Sequence, residues 1–135
     1  MTETHGETDL RTLLQSMAPT LRDEAYAFCT AGNDLATPLW PDALATFRED
    51  EGVTLVLPTA TAERAGLRFD GAWACITLTV HSSLTAVGFL AAISTRLANG
   101  GISLNPIAGY HHDHLFVPWA QRHAALTILA SFRSA

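Results

Sequence analysis

Apolar positions along the first half of the chain change spacing several times, and each change predicts an element. Leu10, Leu13, Leu14 and Met17 recur at three- and four-residue steps, which predicts a short helix stopped by Pro19. Glu24 to Thr30 reads as a strand with Tyr26 and Phe28 on one face. Ala31-Gly32-Asn33-Asp34 reads as a turn, and Pro38 to Pro41 as an irregular loop around Trp40. Pro41-Asp42 suits a helix start, because proline is tolerated in a first turn and an acid there complements the helix dipole. That predicts a helix to about Asp50, ended by Gly52, then a strand over 53–57 and a helical turn over 60–66.

The second half is patterned more clearly. Trp73 to Val80 alternates as a strand, and Ser82-Ser83 can cap a helix from Leu84 to Asn99 that Gly100-Gly101 ends. A strand over 102–108, a turn over 109–113, a strand over 114–117 and a helix from Pro118 to about Arg133 follow. The order strand, helix, strand, strand, helix is a split βαβ unit lacking its last strand. The missing partner is expected from Glu24–Thr30 or Val53–Leu57, or from an edge paired between protomers. On the 84–99 helix, Leu84, Val87, Ala91 and Ala98 face one way and Phe89 and Ile93 the other. Such a helix calls for a second covering layer, from the first half or from another protomer.

Composition narrows the function classes. The chain has 135 residues, 48% of them hydrophobic and 16% charged, enough to fold without disulfide staples. All eight basic side chains are Arg. Without lysine there is no Schiff-base anchor for pyridoxal phosphate and no P-loop. Residues 1–70 carry a net charge of −7 and residues 71–135 a net charge of +2, with Asp113 the single acid of the second part. Overall acidity argues against a nucleic-acid partner. No apolar run approaches the ~18 residues that suggest a membrane span. The acidic N-terminus is unlike a signal peptide, and Cys29 and Cys75 sit in apolar segments as buried free thiols. A cytoplasmic protein with a disordered tail over 1–9 is expected.

The segment Ser82 to Asn99, followed by Ile102-Ser103-Leu104-Asn105-Pro106-Ile107, resembles an ACT domain. Ala86-Val87-Gly88 lies near that family's loop motif, without its Pro-Gly, Leu97-Ala98 matches its helix end, and Ile102 to Asn105 its following strand. Tyr26-Ala27-Phe28-Cys29, Phe47 to Val56 and Ala108 to Pro118 extend the similarity to small stand-alone bacterial ACT-like proteins. Related folds occur in the regulatory regions of aspartate kinases. The resemblance implies an α/β (α+β), ferredoxin-like architecture of two intertwined ACT-like subdomains, over 10–68 and 69–135, with antiparallel sheets and helices packed on one face. It also implies an amino acid bound where the first helix of a unit meets a neighbouring second strand.

The residues support the same site. A helix N-terminus offers unpaired N–H groups and the positive end of its dipole to a carboxylate. Ser82, Ser83 and Thr85 add hydroxyls, Asn105 can donate and accept, and Asp113 can pair with an ammonium. Leu84, Ala86, Val87 and Ile107 complete an apolar surround. Read plainly, the serines only cap the helix, Asn105 fixes a strand edge and Asp113 forms a turn. No catalytic motif is present; His81 and Ser82 are adjacent and would point to opposite faces of a strand. The expectation is a non-enzymatic module that binds an amino acid or related small metabolite, needs no cofactor or metal, contacts neither nucleic acid nor membrane, and forms a homodimer or higher homo-oligomer. The alternatives are an oligomeric interaction module without a ligand, and a metal protein using His111, His112 and His114.

Overall fold

The computed structural model describes residues 6–134, which divide into two compact units. Residues 23–73 form an inserted unit, and the segments on either side, up to Arg22 and from Ala74, form a terminal unit. The architecture is the mixed α/β, ferredoxin-like one that the resemblance implies.

The terminal unit begins with helix α1 (Leu10–Ser16), whose first turn is capped by the Asp9 side chain accepting from the Thr12 amide. A three-residue strand follows, β1 (Pro19–Leu21). The chain returns to this unit in β5 (Trp73–Leu78), then α4 (Phe89–Asn99), the hairpin of β6 (Asn105–Ala108) and β7 (Asp113–Pro118), and α5 (Arg122–Ala130). Its strands lie in the order β1-β5-β7-β6. β1 is thus the fourth strand that the pattern lacked: it runs antiparallel to β5, with Pro19 opposite Leu78 and Leu21 opposite Ile76. The strand expected from Glu24–Thr30 or Val53–Leu57 is not the one that fills this place. Pro19, which suggested only a helix stop, opens a strand, a position proline tolerates because no ladder N–H is needed there.

Alternation on β5 and β7 decides where the core lies. Ala74, Ile76 and Leu78 with Leu115 and Val117 point to the helical face, where Leu13 of α1 and Met17 just after it, Phe89, Ile93 and Leu97 of α4, and Ala125 and Leu129 of α5 cover them. The buried stripe of α4 is therefore the i, i+4, i+8 row from Phe89, while Ala91 and Ala98 are exposed. α4 begins five residues later than the pattern predicts. Gly88, at φ 91°, stands at its N-cap, no side chain caps it, and Ser82 and Ser83 lie in the preceding loop.

The inserted unit contains β2 (Tyr26–Ala31), a short helix α2 (Asn33–Ala36) leading into a 3₁₀ segment (Thr37–Asp42), β3 (Ala45–Glu49), β4 (Gly52–Pro58) and α3 (Thr59–Arg64). Its strands run in the order β3-β4-β2, and Tyr26 also pairs with Trp73. The helix expected from Pro41 to Asp50 is absent: residues 45–49 form an edge strand antiparallel to β4, joined through Asp50-Glu51. Ala27, Cys29 and Ala31 pack with Val53, Leu55, Leu57 and Ala62. Cys29 and Cys75 are buried and free, as expected, and burial pushes both thiols above the usual range, away from the reactive thiolate.

Residues 6–9 differ from the tail expected there. Glu7 forms a parallel bridge with Ser82, donating its amide to His81 O at 2.7 Å and accepting from the Ser83 amide at 2.9 Å. Residues 1–5 of that expectation lie outside the described residues.

Candidate functional site

The loop between β5 and α4 and the β6–β7 hairpin meet at the N-terminal end of α4. The hairpin places Ala108 opposite Asp113 and closes through the Gly109 amide to His112 O at 2.9 Å. Asp113 lies on the same face of β7 as Leu115 and Val117, at the edge of the helical core, and only 7% of it is exposed. Across from it Ser82, also 7% exposed, donates its hydroxyl to Asp113 Oδ2 at 3.0 Å. A buried carboxylate needs such a partner, since an uncompensated charge would be expensive to hold there. The loop itself is shaped by the Thr85 amide donating to Ser83 Oγ at 3.1 Å and the Ala86 amide to Ser83 O at 3.0 Å.

These elements enclose a recess of about 170 Å³. Ser82, Ser83, Leu84, Ala86 and Asp113, five of the expected site residues, line it together with Gly88, Phe89, Leu90, Ala91 and Ala108. The other four expected residues are elsewhere. Asn105 and Ile107 alternate with Ala108 along β6 and so face away from the recess, and Asn105, opposite Phe116, is also ~10 Å along the strand. Val87, 84% exposed, projects into solvent, and Thr85 turns back to share a hydrogen bond with Ser83 Oγ. What the pattern missed is the lining supplied by Gly88 to Ala91. Gly88 directly before an apolar run is a helix-start signal that the serines, attractive as caps, overshadowed.

The rings of His111, His112 and His114 neighbour one another in a row, with centroids 6.3 and 6.5 Å apart. His114 lies on the opposite face of β7 from Asp113, with Nδ1 3.0 Å from Thr77 Oγ1. Burial, with the charges of Arg22 and His112, holds its imidazole below the usual histidine range against a smaller opposing pull from Asp113. His81, Tyr110 and His111 form a ring cluster beside the loop, His81 and His111 with centroids 5.2 Å apart. Among the described residues no group of three His, Cys, Asp or Glu is placed to hold a metal ion, so the alternative of His111, His112 and His114 as ligands has no geometric basis.

A larger groove, about 1080 Å³, runs between α1, α4 and Phe132. It is open and mainly apolar. Its Arg96 already lies 3.8 Å over the Phe132 ring and donates to Ser131 Oγ at 3.0 Å. Its polar lining is Arg11, Gln15, Thr95, Arg96 and Asn99, whereas the smaller recess holds the buried Ser82–Asp113 pair.

An ACT-domain family model matches residues 5–74, and a second ACT-domain model matches residues 72–131. The chain belongs to the ACT-domain family. It is similar to a Vibrio cholerae protein of unknown function, at 49% identity over 92% of this chain and 95% of that one, with a TM-score of 0.83. A protein from Agrobacterium tumefaciens is 19% identical over 87% of this chain and 89% of its own, with a TM-score of 0.71. The ligand-free regulatory subunit of aspartate kinase from Thermus thermophilus is 10% identical over 84% and 95%, with a TM-score of 0.61. The last two likenesses show a shared fold. No match to a curated protein is found. Membership in the family makes a small-molecule-binding regulatory module the coarse reading of this ACT-domain protein.

Proposed function

We propose that this ACT-domain protein binds a small free amino acid, or a closely related metabolite, in the recess at the start of α4, and does so without catalysis. The observation that carries the reading is the buried Asp113–Ser82 pair beside a helix start that no side chain caps. The two ends of a zwitterion have matching partners there. The Asp113 carboxylate suits an ammonium, and the first-turn N–H groups of α4, at the positive end of its dipole, suit a carboxylate. Leu84, Ala86, Ala91 and Ala108 leave apolar wall between them. The recess is smaller than the 300–1,000 Å³ usual for drug-sized ligands, which favours a ligand of few heavy atoms.

We further read the module as a homo-oligomer in the cytoplasm. The edge strand β3 supports self-association, with Phe47 70% and Trp40 49% exposed beside one another. The two free, buried cysteines suit a reducing compartment. Among the described residues no helix is long and apolar enough to cross a membrane.

A thermal-shift screen of the twenty amino acids tests the reading. A ligand at one hundred times its Kd stabilises by about 2.7 kcal/mol, which is several degrees in Tm. At least one small amino acid is expected to raise Tm by that amount, and Asp113→Asn is expected to remove the shift while keeping the fold. No shift at millimolar concentration, or the same shift in Asp113→Asn, contradicts it.

A further inference from the structure

The N-terminal segment holds the binding loop at both of its ends. At one end Glu7 exchanges two backbone hydrogen bonds with His81 and Ser83, which brackets Ser82 between them. At the other end the Leu10 side chain comes within 3.5 Å of the position a Cβ on Gly88 would take. Between these points the segment is wound by local hydrogen bonds. Glu7 Oε2 accepts from the amides of Thr8 and Asp9 at 3.1 and 2.9 Å, and Asp9 caps α1. α1 in turn is anchored in the core by Leu13 and Met17.

Gly6 shows how close the approach is. A methyl group there would lie 2.5 Å from Ser82 C and Ser83 N and 2.7 Å from His81 O. These are backbone atoms, which cannot give way as a flexible side chain would. The need for glycine at this position is one of space.

We infer that residues 6–10 are a positioning element of the binding site: they clamp the 82–88 loop so that the Ser82 hydroxyl is presented to Asp113. The inference rests on the binding reading for its consequence, and on the backbone geometry alone for the clamp. Ser82 is held by contacts from outside its own loop, so releasing residues 6–7 frees the loop while leaving β5, β7 and α4 in place. Ligand affinity then becomes sensitive to whatever happens at the start of the chain, although those residues need not touch the ligand.

Amide hydrogen exchange on the full-length protein tests the clamp without any ligand. Gly6→Ala is expected to speed exchange at Glu7, Ser83, Thr85 and Ala86 about tenfold, with the amides of β5 unchanged. Gly32→Ala, where a methyl meets open space, is the control and is expected to change none of them. Glu7→Pro, which removes the donor to His81 O, is expected to speed exchange at Ser83, Thr85 and Ala86 in the same way. Unchanged exchange at Ser83 and Thr85 in both Gly6→Ala and Glu7→Pro overturns the clamp, as does faster exchange spread evenly over β5. The twenty-amino-acid thermal-shift panel is then repeated on Gly6→Ala. A loop that exchanges faster with an undiminished shift overturns the positioning role. If the wild type itself shows no shift with any amino acid, the binding reading fails, and exchange alone decides the clamp.

Discussion

Asp113 and His114 are chain neighbours with opposite surroundings, because successive strand residues face opposite sides of a sheet. Asp113 turns toward the helices and meets Ser82; His114 turns away and meets Thr77. The depressed imidazole makes a pH prediction whose sign is fixed. A histidine that binds its proton less readily when folded contributes full stability above the unfolded pKa of about 6.5, and that contribution is lost as pH falls through 6.5 toward the lower folded value. Melting temperature is therefore expected to drop between pH 7.5 and pH 5. His114→Gln, which keeps a partner for Thr77, is expected to flatten that drop; an unaltered slope in the variant would count against this role. At this scale much was legible. Asp113 stood out as the lone acid after residue 70, and it lines the recess. The direction of Asn105 and Ile107 was not, because it depends on hairpin register, which no single residue announces.

The elements explain which parts of the fold the pattern could carry. Long, strongly apolar stretches such as β5, β7 and α5 declare themselves, since their periodicity reflects a buried face. β3 does not, because it is an edge strand: Thr46, Phe47, Arg48 and Glu49 are all exposed, so no buried face imposes alternation. Pairing with β4 then overrides the helix-start signal at Pro41-Asp42. β1 is too short to show a period, and its place is fixed by β5 and by the α1 side chains on the core. That dependence predicts a large effect at one residue. Leu13 is wholly buried among α4, α5 and β5 residues, so Leu13→Ala should destabilise by about 2–5 kcal/mol in denaturant unfolding. A loss below ~1 kcal/mol would mean that α1 is not part of the terminal core.

On the scale of the whole molecule, the terminal unit is built from both ends of the chain around an insertion, which is why no boundary linker can be found in the sequence. The charge asymmetry persists in this division. Residues 23–73 carry nine acids against three Arg, and the terminal segments are nearly neutral. The exposed edge strand of the acidic unit gives the oligomer prediction. Phe47→Lys should lower the sedimentation coefficient toward that of a monomer without unfolding the chain, and an unchanged assembly would place the contact elsewhere. Binding is the central claim, and amide NMR of the ¹⁵N-labelled protein, with each small amino acid added to saturation, tests it most directly. Shifts are expected at Ser82, Ser83, Phe89, Leu90, Ala108 and Asp113, at the recess. An unperturbed spectrum, or shifts confined to Leu14, Thr95 and Asn99 in the larger groove, would contradict the account.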